Sequence, residues 1–289
     1  MRTVTQQAPA KVNLTLDILG KRPDGYHDLR MVMQTISLYD TVTVTETAGE
    51  EITVTTDRGD LPTGPDNIAW KAADVFFRRT GTPRRGLAIH LEKHIPAQAG
   101  MAGGSADGAA VLRLLRQLYA PQLPATELEA MALLVGSDVP FCVRGGTVLA
   151  EGRGEIMTDL PPVPECFLAV CKPPFGLSTP ALFGRVRTAE LTVRADHPAM
   201  EGALERGDLA AVAREMENVF EQVLTAEEAR EIGQIRAVML EKGALNAVMT
   251  GSGPTVFGIF DREDAALAAA DALRRKYEQV YVAAPENRK

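Results

Sequence analysis

The chain has 289 residues, 45% hydrophobic and 24% charged, the composition of an ordinary globular protein that can bury a large core, usually as about two domains. A formal net charge of −7 argues against nucleic acid or an anionic membrane as the main partner, so an anionic small molecule would need a local basic pocket.

In chain order, the first informative stretch is PAKVNLTLDILGKRPDGYHDL, Pro9 to Leu29. Val12, Leu14, Leu16 and Ile18 alternate on one face of a strand, which leaves Lys11, Asn13, Thr15 and Asp17 on the other. That second face is either the solvated side of an edge strand or a cation and an amide aimed into one cleft. RPDG reads as a turn, with Tyr26 and His27 directly after it.

Leu87, Ile89 and Leu91 alternate in a second strand. The segment HLEKH that holds His90 and His94 lacks the glutamate placement of HExxH and a third ligand, so no zinc is expected. Next comes IPAQAGMAGGSADGAA, Ile95 to Ala110, and then Ala109, Ala110, Val111, Leu114, Leu115 and Leu118 at helical spacing. Ser105 and Asp107 are residue types that suit the helix start. Strand, glycine loop and helix in that order leave backbone N–H groups and a helix dipole open to an anion, for which phosphate is the natural guest. Yet Gly100, Gly103 and Gly104 form no GxGxxG, and no lysine follows them. By itself the stretch equally fits a tight strand-to-helix connection.

In LLVGSDVPFCVRGG a helix ends at Gly136. Asp138 follows, either as a turn or capping residue or as a carboxylate fixed beside a hydroxyl it activates. Cys142, Cys166 and Cys171 are sparse, unpaired by any CxxC spacing and set among apolar residues, as core cysteines of a reducing compartment are. The prolines of LPPVPE, Leu160 to Glu165, divide the chain into residues 1–160 and 161–289. In the second part CFLAVCK, ALNAVM, TVFGIF and QVYVAA read as strands. ENVFEQVL, EEAREIGQIRAVMLEKG and EDAALAAADALRRKY read as helices. The alternation indicates an α+β fold with helices on one side of an antiparallel sheet in each half. TGSGPTVF, Thr250 to Phe257, is a hairpin with a glycine turn or a second small-residue loop closing on a phosphate. No signal-peptide core follows Met1 and no run reaches the length of a membrane span, so the expected location is the cytoplasm, away from membranes.

Taken together, PAKVNLTLDILGKRPDGYHDL, IPAQAGMAGGSADGAA, GSDVPFCVRGG, ENVFE and TGSGPTVF resemble the kinase superfamily named for galactokinase, homoserine kinase, mevalonate kinase and phosphomevalonate kinase. The order of the blocks holds over nearly the whole chain. They are most similar to the branch in the non-mevalonate isoprenoid pathway whose small-molecule acceptor carries a cytidine diphosphate group. The loop departs from the usual GLGGGSSD or GLAGGSSD form, with Met101 in place of leucine and Ala106 in place of the second serine.

The resemblance implies a two-domain fold, an N-terminal ribosomal-protein-like domain followed by a C-terminal ferredoxin-like domain. It also implies ATP and Mg2+ as cofactors. Pro96, Ala97, Gln98, Ala99, Gly100, Met101, Ala102, Gly103, Gly104, Ser105 and Ala106 would wrap the ATP phosphates. Asp138 would take the proton of the acceptor hydroxyl, and Lys11 would stand beside it and stabilise negative charge. Tyr26, His27 and Phe183 would hold the cytosine, and Asn13 would contact the acceptor near the phosphorylated hydroxyl. Asp107 is open between a capping role and an approach to Mg2+. The alternatives are a homoserine- or mevalonate-type kinase, the related diphosphate decarboxylase, or a non-catalytic RNA-binding module, of which the acidic balance disfavours the last.

Overall fold

A computed structural model describes residues 1–287. It opens with two long strands, β1 (Thr3–Lys21) and β2 (His27–Thr47). The RPDG turn joins them, with Gly25 at φ +87° donating its N–H to the Arg22 carbonyl at 3.1 Å. β3 (Ile52–Thr56), α1 (Ile68–Thr80) and β4 (Gly86–Glu92) follow. Asn67 caps α1 by accepting the Ala69 N–H, and Gly81 ends it in the left-handed conformation. After the glycine loop come α2 (Gly103–Tyr119), α3 (Ala125–Val135), which stops before Gly136, and α4 (Val139–Arg144).

β5 (Thr147–Gly152) and β6 (Ile156–Asp159) form a hairpin ahead of the proline-rich stretch, and β7 (Phe167–Lys172) succeeds it. Then α5 (Thr179–Arg185), α6 (His197–Glu205) and α7 (Leu209–Arg214) lead to the two-residue strand β8 (Glu217–Asn218). The chain ends with α8 (Ala226–Glu241), β9 (Asn246–Met249), β10 (Val256–Phe260), α9 (Glu263–Arg274) and β11 (Gln279–Ala283). Thr225 and Glu228 start α8 with a reciprocal capping box.

One expected helix is absent. ENVFEQVL forms β8 and then a single 3-10 turn, Val219–Val223. Asn218 directs its side chain to other segments of the chain, and those bonds outweigh the helical spacing of the apolar residues around it.

The chain forms two compact units, neither continuous in sequence: Met1–Ala10, Leu38–Ala97 and Ala102–Arg144 make one, and Lys11–Ser37, Gln98–Met101 and Gly145 onward make the other. This partition differs from a cut at residues 160/161, because β1, β2 and the glycine loop contribute to both. In the first unit β3 runs parallel to β4, and β4 runs antiparallel to the Thr41–Thr47 half of β2. α1 packs closely on α2 at Gly108, where a Cβ would come within 2.7 Å of Ile68 Cγ2.

In the second unit the Leu29–Gln34 part of β2 pairs antiparallel with β5, and β8 lies parallel to β1 at Thr15 and Leu16. The same unit holds a four-stranded antiparallel sheet in the order β11-β7-β10-β9, with α8 and α9 packed on it and on each other. That order and the alternation of its elements are ferredoxin-like, with α5 to β8 inserted after the first strand. Phe220, Phe257 and Phe260 are fully buried there, as Phe76 and Phe141 are in the first unit. All three cysteines are buried and reduced, which fits their reading as small core residues. Among the described residues no helix is long and apolar enough to cross a membrane.

Candidate active site

β1 does not present a solvated face. From Ala10 to Ile18 every residue is buried, so Lys11 (4% exposed) and Asn13 (0%) are as enclosed as Val12 and Leu14. A buried lysine and asparagine require polar partners. The Lys11 ammonium donates to Asn13 Oδ1 at 2.6 Å. The Asn13 backbone N–H donates to Thr250 Oγ1 at 2.9 Å, and Asn13 Nδ2 reaches Met31 Sδ at 3.3 Å. Farther along the same face, Thr15 Oγ1 accepts the Val32 N–H at 3.0 Å and Asp17 pairs with Arg194 at 3.0 Å.

The Lys11 backbone N–H donates to the Met101 carbonyl at 3.2 Å, which ties this strand to the glycine loop. The loop itself lies against the TGSGP hairpin, backbone to backbone. A Cβ on Gly100 would collide with the Thr250 carbonyl, and one on Gly251 would come within 2.6 Å of the Gly100 carbonyl. Both glycines also hold positive φ, +72° and +56°, so no other residue fits either position without strain. TGSGP is therefore both a hairpin turn, closed by Thr250 N–H to Thr255 O at 2.9 Å, and a second small-residue loop. Gln98 and Ala102 hold positive φ (50° and 59°) without being glycine. Strain of this kind collects at ligand-binding loops.

At the C-terminal end of the loop, Ala102 stands at the N-cap position of α2 with no side-chain cap. The first N–H groups of α2, from Gly103 to Ser105, have no acceptor within the helix. Gly104 is exposed and a Cβ there would meet only Ile68 Cγ1, at 3.7 Å, so an anion has open access to this turn. Ala106 donates its N–H to the Ala102 carbonyl at 2.8 Å, and its side chain is buried, as are those of Pro96, Ala99 and Met101.

Asp107 neither caps the helix nor sits in its first turn. It is 3% exposed and pairs with the Lys93 ammonium, which also binds Asp40. Asp40 in turn accepts the backbone N–H groups of His94 (2.6 Å) and Ile95 (2.8 Å). One buried cluster thus holds the strand end at Lys93–Ile95 and the start of α2 together. Burial, with repulsion from Asp40, pushes the Asp107 carboxyl up to about 7 against the pull of Lys93, and its Oδ1 has no hydrogen-bond partner. Among the described residues no group of three acidic, histidine or cysteine side chains could hold a metal ion.

Asp138 is half-buried immediately before α4 and its carbonyl accepts the Cys142 N–H at 3.1 Å. The other end of α4 is held by Arg113, whose Nη1 donates to the Cys142 carbonyl at 2.6 Å.

In the second unit His27 stacks on Phe183, with ring centroids 4.7 Å apart and an interplanar angle of 19°. Phe220 supports Phe183 edge-on, at 5.0 Å and 82°. Tyr26 is 55% exposed, and its ring carries Arg153 at 4.8 Å. Burial, aided by the charge on Lys21, lowers the pKa of His27, so the ring is neutral at neutral pH and has one donor and one acceptor nitrogen. Lys11 and Asn13 belong to one polar network, and His27 and Phe183 to one stack. Asn218, Phe220 and Thr250 join these arrangements, and Asp40 and Lys93 join Asp107, although their sequence positions mark none of them singly. ENVFE and TGSGP contain three of the five, so the signal lay in the blocks.

Residues 67–146 match the GHMP kinases N terminal domain and residues 200–279 the GHMP kinases C terminal domain. The 4-diphosphocytidyl-2-C-methyl-D-erythritol kinase of Lachnoclostridium phytofermentans is 43% identical over 266 residues, 92% of this chain and 91% of the relative. The protein of the same name from Syntrophomonas wolfei is 41% identical over 97% of this chain and 98% of its own length. A crystal structure of 4-(cytidine 5'-diphospho)-2C-methyl-D-erythritol kinase superposes with a TM-score of 0.83 at 32% identity, covering 99% of this chain and 100% of that one. Homoserine kinase from Cytophaga hutchinsonii shares the fold, with a TM-score of 0.77 at 19% identity over 99% of this chain and 96% of its own. This chain belongs to the GHMP kinases and, among them, to the 4-diphosphocytidyl-2-C-methyl-D-erythritol kinases.

Proposed function

We propose that the protein transfers the γ-phosphoryl group of ATP to a hydroxyl of 4-diphosphocytidyl-2-C-methyl-D-erythritol in the non-mevalonate isoprenoid pathway. The observation that supports the division of labour best is the buried network of Lys11, Asn13 and Thr250, in which Lys11 also holds Met101 of the glycine loop through its own backbone. A cation and an amide kept out of water beside a bare backbone loop suit charge stabilisation in phosphoryl transfer, where positioning and electrostatics supply most of the catalysis.

In this reading the first N–H groups of α2 and the strained loop from Pro96 to Ala106 cradle the phosphates. Asp138 accepts the proton as the acceptor oxygen attacks the γ-phosphorus and the bond to the β,γ-bridging oxygen breaks, releasing ADP. Lys11 neutralises charge on the group in transfer, and Asn13 orients the acceptor near its reacting hydroxyl. The Ser105 hydroxyl in the first turn of α2 would be a donor to a Mg2+ ion shared with the ATP phosphates, which would need only one or two protein ligands and would screen the phosphate charge. Tyr26 and Phe183 stack on the cytosine, and the neutral His27 reads its polar edge with one donor and one acceptor. The acceptor is a free small molecule, and the expected setting is the cytoplasm.

The test is ADP release by purified protein with ATP and Mg2+, offered the cytidyl acceptor, its uridine analogue, homoserine or mevalonate. Turnover confined to the cytidyl compound supports the reading. Turnover with homoserine or mevalonate in its place would overturn it and leave the fold untouched.

A further inference from the structure

Asn218 is fully buried, and every polar group of its side chain is used. Nδ2 donates to the Met249 carbonyl at 2.7 Å and to the Gly251 carbonyl at 2.9 Å, while Oδ1 accepts the Phe220 N–H at 3.0 Å. The two carbonyls flank Thr250, whose hydroxyl accepts the Asn13 N–H. Three residues after Asn218, Glu221 accepts the Met249 N–H at 2.7 Å and pairs with Arg236. The sequence Glu217–Glu221 therefore grips the root of the glycine hairpin at three backbone atoms.

The same five residues carry Phe220, which meets Phe183 edge-on at 5.0 Å behind the His27 stack. The Asn218–Phe220 hydrogen bond fixes the turn between the two contacts. A second tie runs parallel to this one, since Thr179 at the start of α5, the helix that bears Phe183, shares a 2.7 Å hydroxyl hydrogen bond with Ser252 of the hairpin. β8 pairs with β1 at Thr15 and Leu16, which seats the segment beside the strand that holds Lys11 and Asn13.

We propose that Glu217–Glu221 is a strut that sets the glycine hairpin and the base-stacking rings in fixed relation, with Asn218 as the positioning residue at the hairpin end and Phe220 at the ring end. The proposal rests on the base-binding role given above to His27 and Phe183. Its consequence is coupling: a change confined to the Asn218 side chain is felt at the cytosine site, although its hydrogen bonds go to backbone atoms of Met249, Gly251 and Phe220. A residue that served only to fill the core would lack that effect.

The experiment is a double-mutant cycle read by calorimetric binding of CDP, beside steady-state kinetics, on wild type, Asn218→Asp, Phe220→Leu and the double variant. Asn218→Asp preserves shape and the acceptor for Phe220 but sets a carboxylate against two carbonyls. The strut predicts CDP binding weakened on the order of 10-fold in Asn218→Asp, with kcat also lowered. In Phe220→Leu, CDP binding weakens and kcat falls several-fold while KM for ATP is unchanged. The double variant should lose less than the product of the single losses, as residues acting through one element do.

Wild-type affinity for CDP in a folded Asn218→Asp protein, or single effects that multiply, would overturn the strut while the base site stands. If Asn218→Asp does not fold, Phe220→Leu decides: weakened CDP binding with unchanged kcat contradicts coupling. A wild-type protein that fails to bind CDP would overturn the base-site reading and the strut with it.

Discussion

The Lys11 ammonium lies 2.6 Å from Asn13 Oδ1, and both side chains are shut away from solvent on alternate positions of one strand. An ammonium so enclosed is costly unless its charge is used or matched. Replacing Lys11 with methionine removes the charge and keeps the length. We expect kcat to fall by at least ~10²–10³-fold, the scale of losing one preorganised electrostatic donor. Retained nucleotide binding, followed by calorimetry, separates this from collapse of the site.

Asp138 stands at the head of α4, a helix held at its far end by Arg113. If Asp138 takes the proton, Asp138→Asn should cost ~10²–10⁴-fold in kcat with ATP affinity preserved. Near-normal turnover would remove Asp138 from the chemistry. Arg113→Met should cost less, because it loosens the helix and leaves the carboxylate in place.

The two rings that face each other at 4.7 Å should have separable roles if they hold the cytosine. Stacking tolerates any base, whereas hydrogen bonds to a base edge discriminate. Tyr26→Ala and Phe183→Ala should raise KM for cytidine and uridine acceptors alike. His27→Ala should narrow the gap between them. Equal loss of both acceptors in the histidine variant would count against the assignment.

Asp107 makes stability pH-dependent. Its carboxyl is raised from 3.8 to about 7, chiefly by burial. Between about pH 3.8 and 7 the folded protein should therefore hold a proton that the unfolded chain has released, so this contribution is complete below about 3.8 and disappears as the pH rises through about 7. Asp107→Asn removes the titrating group and keeps the shape. Thermal midpoints measured from pH 4 to 8 should fall with pH more steeply in the wild type than in the variant; parallel curves would show that Asp107 does not titrate in this window.

Period-two alternation disclosed β1 and β4, because one face of each is reliably apolar. It did not disclose that the polar face of β1 is buried too, since the covering groups, Met31 and Thr250, come from distant parts of the chain. ENVFEQVL has apolar residues at helical spacing and still forms a strand bridge and a turn, because Asn218 bonds to a hairpin 31 and 33 residues further along the chain. Asp107 looked like a cap by residue type alone. Its partners, Lys93 and Asp40, lie 14 residues away and, for the Lys93–Asp40 pair, 53 residues apart, and no local pattern links such distant charges. The glycine loop was legible because φ restrictions act locally. Its contact with the hairpin was not, although the glycines at 100 and 251 are there because two backbones meet.

Phosphoryl transfer is tested most directly by 31P NMR of the products formed from ATP, Mg2+ and the cytidyl acceptor. ADP and one new phosphomonoester signal on the acceptor should appear in equal amounts, with the acceptor's diphosphate signals retained. ADP accompanied only by inorganic phosphate would show hydrolysis without transfer and contradict it.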